Sequence, residues 1–85
     1  MITSQQSHAY AYLKTSLAEL LEKPSIAEEL TEHTDLFSVG MDSVTLVNLV
    51  VLVEEEFDIF FEDDELLAEH FQTIESVWKR IESKL

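Results

Sequence analysis

The apolar positions of this chain fall into three stripes of helical period, separated by one long irregular stretch. Between residues 8 and 22, Tyr10, Leu13, Leu17, Leu20 and Leu21 recur at three-and-four spacing, while Lys14, Glu19 and Glu22 fall elsewhere. This predicts an amphipathic first helix, stopped by Pro24, whose ring cannot continue one. Residues 24–41 read as a long connection with a short helical turn over Ser25–Leu30 and with Ile26, Leu30, Leu36 and Phe37 as inward anchors. A connection of that length in so small a chain points to a functional loop. The last stripe, Ile74, Val77, Trp78, Ile81 and Leu85, follows Thr73 as a predicted N-cap. The intervening EDDELLAEHF, residues 62–71, predicts a short helix with acids in its first turn, after an aromatic-rich link over residues 58–61.

The central run VTLVNLVVLV, residues 44–53, is ambiguous by itself, because a valine-rich segment also suits a buried strand. Three features decide for helix. Asp42 is a good N-cap beside the turn-forming Gly40. The segment continues without a breaker through Glu54, Glu55 and Glu56 to Phe57. No comparable second strand exists to pair with it. Leu46, Leu49, Val50, Val53 and Phe57 are the expected core face, leaving Val44, Val47 and Val51 as an exposed apolar strip running down from Ser43. The predicted fold is therefore all-α: a four-helix bundle of three main helices and one short helix, in a single domain spanning residues 1–85.

Composition narrows the chemistry. An apolar fraction of 46% over 85 residues supports one small core. There is no cysteine, so any thiol chemistry has to be imported. No secretory signal or membrane-length apolar run is present, which leads us to expect a cytoplasmic protein with no membrane association. The net charge is −13, and residues 24–78 hold fifteen acidic side chains and no Lys or Arg. Such a surface repels nucleic-acid phosphates and attracts basic partners. Lys79, Arg80 and Lys84 instead lie toward the end of the last helix, where cations complement its dipole.

Several site chemistries fail on spacing. His8, His33 and His70 have neither the i, i+4 relation nor the companion motif of a zinc site, and read as surface or satisfied histidines. Residues 58–69 match an EF-hand loop in length, but Phe60 stands at a ligand position and Asp63 at the turn glycine, which excludes tight calcium binding. Ser43 lacks the GxSxG elbow of a hydrolase nucleophile. For a generic Asp-Ser pair, simple helix capping is the plain alternative.

Taken together, Gly40-Met41-Asp42-Ser43-Val44, then Leu49, Val53, Glu54, Glu55, Phe57 and Ile59, resemble the acyl carrier protein family, and the resemblance covers nearly the whole chain. It implies a carrier, not an enzyme. Ser43 would be the attachment site of 4'-phosphopantetheine, transferred from coenzyme A by a phosphopantetheinyl transferase, with Asp42 helping to position that reaction and its magnesium ion. The added arm would supply the thiol that the sequence lacks. The strip Val44, Val47 and Val51, with Glu54, Glu55, Glu56 and Asp58, would meet partners: an acyl- or aminoacyl-loading ligase or acyltransferase, then a downstream synthase or transferase. Fatty-acid carriers usually have acids at Thr45 and Asn48 and leucine at Val44, and peptidyl carriers usually have histidine at Asp42. The LLAEHFQTIESV stretch looks more like free-standing, monomeric carriers of specialised polyketide or nonribosomal pathways. A fatty-acid carrier, or an acidic interaction module without a prosthetic group, is the alternative expectation.

Overall fold

The computed structural model describes residues 4–85, and among them it is entirely helical, with no strand. Helix α1 spans Ser4–Leu20, the short α2 Ile26–Glu29, α3 Ser43–Phe57 and α4 Ile74–Glu82. Three single 3₁₀ turns, at Leu36–Val39, Asp63–Glu65 and Ala68–His70, occupy the connections. Helix α1 packs against each of the other three helices. One continuous core joins Leu13 and Leu17 of α1, Ile26, Leu36 and Met41, the α3 face Leu46, Leu49, Val50 and Val53, and the α4 face Ile74, Val77, Trp78 and Ile81. This is the predicted all-α bundle with three main helices. Its short helix is the turn expected over Ser25–Leu30.

Helix α1 differs from expectation at both ends. It is already helical at Ser4, the first described residue, ahead of the predicted residue 8, and its helical hydrogen bonding closes before Pro24 is reached. The N–H of Lys23 bonds to the Ala18 carbonyl and that of Glu22 to the Glu19 carbonyl, with Glu22 left-handed at φ 57°. That is a Schellman termination with a glutamate where glycine usually sits. Pro24 follows a stop already made.

Residues 62–71 do not form the predicted short helix. The Glu65 N–H donates to the Glu62 carbonyl while the Glu65 side chain accepts from Glu62 N–H, closing one 3₁₀ turn, and Leu66 then leaves helical geometry at φ −84°, ψ 51°. The cause is packing at both ends. Phe61 and Phe71 are both buried, with ring centroids 5.8 Å apart, and a continuous α-helix of ten residues would separate them by about 15 Å. Lys84 fixes this segment to the end of α4, its Nζ lying 2.8 Å from Glu65 Oε1 and 5.2 Å from the Phe61 ring centroid.

Two core assignments also shift. Leu85 lies beyond the end of α4 and is exposed, because the helix closes at Glu82 before the stripe reaches it. Phe57 is half-buried at the edge of the core, where it meets the His8 and Tyr12 rings edge-on.

Candidate functional site: the N-terminus of helix α3

The loop entering α3 reverses direction at Gly40, which adopts φ 118°, ψ 0°. That region strains any side-chain-bearing residue, and here the constraint is conformational, since a Cβ would make only ordinary contacts, with Lys23 Nζ at 3.5 Å and Leu21 Cδ2 at 3.7 Å. Lys23 Nζ donates to the Val39 carbonyl at 3.2 Å, tying the end of α1 to this turn. Upstream, Leu36 N–H donates to the Gln72 carbonyl at 2.8 Å and Met41 N–H to the Leu36 carbonyl at 3.1 Å. Met41 is buried, so the chain emerges at Asp42 from an anchored base.

Asp42 caps α3: its Oδ1 accepts the Thr45 N–H at 2.8 Å from extended backbone geometry. That backbone hydrogen bond holds the Asp42 carboxyl below its ordinary value of 3.8. Ser43 is the first helical residue and is exposed. Among the described residues no side chain hydrogen-bonds its hydroxyl. Each histidine is engaged elsewhere: His8 with Glu56, His33 with Glu32 and Glu75, His70 with Arg80. Ser43 therefore has no internal base and is not assembled as a nucleophile. What the arrangement offers is an open hydroxyl over unsatisfied amides at the positive end of a 15-residue helix, an environment that favours an anion bonded there. A phosphodiester on Ser43 meets those requirements, with Asp42 beside it, and Ser43 is exposed.

Down the outer face of α3, Val44, Val47 and Val51 are 67%, 51% and 46% exposed, against 6% or less for Leu46, Leu49, Val50 and Val53. The helix is apolar on both faces, and only one is covered. The acids at its end differ from one another. Glu55 and Asp58 are exposed, Asp58 ending the helix left-handed at φ 54°. Glu56 pairs with His8 Nε2 at 2.6 Å. Glu54 is half-buried, and its Oε2 accepts the Phe61 N–H at 2.8 Å. Sequence spacing groups these four acids, yet the structure commits two of them to contacts within the molecule.

An all-helical bundle with an exposed serine at the capped start of its central helix is a scaffold on which a group could be tethered. Comparison with known proteins agrees. Residues 11–81 match the family model described as the phosphopantetheine attachment site. Aminoacyl carrier protein 1 of Bradyrhizobium diazoefficiens is 33% identical over 66 residues, covering 78% of this chain and 73% of that protein. An acyl carrier protein of Desulforapulum autotrophicum is 34% identical over 74 residues, 87% of this chain and 94% of that one, and one of Caulobacter vibrioides is 43% identical over 58 residues, 67% and 72% respectively. The chain belongs to the acyl carrier protein family. Its prosthetic group is covalently attached 4'-phosphopantetheine, and it is a carrier and not a catalyst. Proteins of this kind work with transferases and synthases. Among the described residues, no helix is long and apolar enough to cross a membrane.

Proposed function

We propose that Ser43 carries the 4'-phosphopantetheine arm and that the protein shuttles acyl or aminoacyl thioesters between enzymes of a specialised pathway of polyketide or nonribosomal type. The observation that carries the reading is the exposed, unengaged Ser43 hydroxyl at the N-terminus of α3, held there by the Asp42 cap. A phosphopantetheinyl transferase supplies the base and the coenzyme A, and Asp42 helps to place the reacting groups. A ligase or acyltransferase then loads the thiol, and a downstream synthase or transferase unloads it. Val44, Val47 and Val51 form the apolar centre of the surface these enzymes share, and Glu55 and Asp58, with Glu54 and Glu56 behind them, give it a negative rim. The protein works as a cytoplasmic monomer built as one domain.

An aminoacyl cargo is supported by similarity to the Bradyrhizobium and Agrobacterium fabrum aminoacyl carrier proteins, the latter 30% identical over 67 residues. The relatives named acyl carrier proteins support a second reading, with a simple acyl cargo such as that of fatty-acid synthesis.

Incubation with coenzyme A and a promiscuous phosphopantetheinyl transferase tests the attachment. Intact mass spectrometry should show one added phosphopantetheine on the natural chain and none on Ser43→Ala. No addition to the natural chain, or addition that survives the substitution, overturns the assignment. The mass of the cargo on protein isolated from its own cells separates an aminoacyl from an acyl thioester.

A further inference from the structure

In the α2–α3 loop, Glu32 and His33 meet Glu75 at the start of α4. His33 Nε2 lies 3.3 Å from Glu32 Oε1, and its Nδ1 lies 4.0 Å from Glu75 Oε2. One ligand atom from each of the three residues falls within 4.8 Å of the other two. The backbones are braced as well: Glu75 N–H donates to the Glu32 carbonyl at 3.1 Å, and His33 N–H to Thr31 Oγ1 at 3.2 Å. We infer that Glu32, His33 and Glu75 form a site for a divalent transition metal, best suited to zinc, that clips the α2–α3 loop to the N-terminus of α4.

The donor set decides the metal class. One imidazole nitrogen with two carboxylates is a borderline set that suits zinc, whereas magnesium and calcium prefer oxygen throughout. Ligand atoms around a tetrahedral zinc stand about 3.4 Å apart, given metal–ligand distances of about 2.1 Å. Closing from 4.8 Å requires only side-chain rotation, which the exposed His33 and half-buried Glu32 and Glu75 permit. Three protein ligands leave a position for water.

The surroundings favour a cation. The nearest competitor is Lys79, whose Nζ is 3.8 Å from Glu75 Oε1, the oxygen of that carboxylate on the other side from His33. Its side chain is 71% exposed, so the pair is displaced at little cost. The α4 dipole opposes a cation at this end, but two carboxylates carry four times its half-charge. Spacing along the sequence conceals the site, because Glu75 comes from α4, far along the chain from the loop residues Glu32 and His33.

Calorimetric titration of the full-length, chelator-stripped chain with zinc chloride tests the inference. Since a thiol also binds zinc, the titration uses the chain both with and without its phosphopantetheine. We expect one site in either form, weakened at least tenfold by His33→Ala or Glu75→Gln and unchanged by His8→Ala or His70→Ala. Magnesium should bind at least tenfold more weakly. Zinc at a hundred times its dissociation constant should raise Tm by on the order of 10 °C. Binding that survives His33→Ala, or equal binding of zinc and magnesium, would reduce the cluster to a diffuse acidic surface and overturn the site. These outcomes are independent of where the prosthetic group is attached.

Discussion

The Glu54 carboxylate accepts the backbone N–H of Phe61 at 2.8 Å, so the helix that displays Ser43 also holds, near its other end, the link that follows it. The Glu54 carbonyl accepts the N–H groups of Asp58 and Ile59 as well. With Phe61 buried, this one residue fixes where the link turns back into the core. Glu54→Ala should destabilise the fold by about 1 to 3 kcal/mol, because it orphans a backbone donor, while Glu54→Gln, which keeps an acceptor, should lose less. Urea denaturation measures both. Equal losses would show that charge, and not the hydrogen bond, is what Glu54 contributes.

Backbone geometry gives a second prediction. Glu22 occupies a left-handed position that glycine adopts freely, so Glu22→Gly should raise stability by about 1 kcal/mol. Gly40→Ala should lower it by about 1 to 2 kcal/mol. Thermal melts of the two variants should shift in opposite directions.

The two faces of α3 should separate stability from function. Leu49 is fully buried, and Leu49→Ala should cost about 2 to 5 kcal/mol. Val47→Ser, on the half-exposed outer face, should change stability by no more than about 0.5 kcal/mol while slowing loading by a partner enzyme. Melting curves and loading rates on the same samples make the comparison.

Electrostatic docking should appear as salt sensitivity. If Glu55 and Asp58 steer basic partners, the association rate with a loading enzyme falls as ionic strength rises, and Glu55→Gln with Asp58→Asn flattens that dependence. Stopped-flow association at several salt concentrations reads it directly.

Acid should weaken the fold through two carboxylates. Asp42 is held below 3.8 chiefly by the Thr45 backbone N–H, and Glu65 below 4.5 chiefly by its hydrogen bond from Lys84. Both values are depressed in the folded state, so the stability they confer is complete above the unfolded values and is lost as pH falls through the folded ones. Stability should therefore begin to drop below about pH 4.5, and the drop should be shallower in Asp42→Asn with Glu65→Gln. Denaturant midpoints measured between neutral pH and pH 3 would show the slope.

Helix α3 was legible because its signals agree: a capping aspartate after glycine, an unbroken apolar run and a covered face at three-and-four spacing. The end of α1 was not, since a left-handed glutamate has no compositional mark and Pro24 offers a stop two residues too late. Residues 62–71 misled for a related reason. Their acids, leucines and alanine favour helix locally, but burial of both flanking phenylalanines overrides that preference. At the site, the exposed Ser43 and the Asp42 cap could be read from the chain, while the engagement of Glu54 with Phe61 and of Glu56 with His8 depends on contacts made only after folding. The family model matched to residues 11–81 agrees with the resemblance carried by the residues around Ser43.

The amide of Leu36 donates to the carbonyl of Gln72, one residue before the cap of α4, and the same stretch receives a second strap from Glu75 to Glu32. Local opening of the loop that leads into α3 must therefore break its hold on α4, whose inner face is buried. We therefore expect the two regions to open as one cooperative unit, with matching protection of their amides in hydrogen exchange. A long connection that looks slack in the chain is thus strapped twice to α4, a fixed base for the helix that displays Ser43.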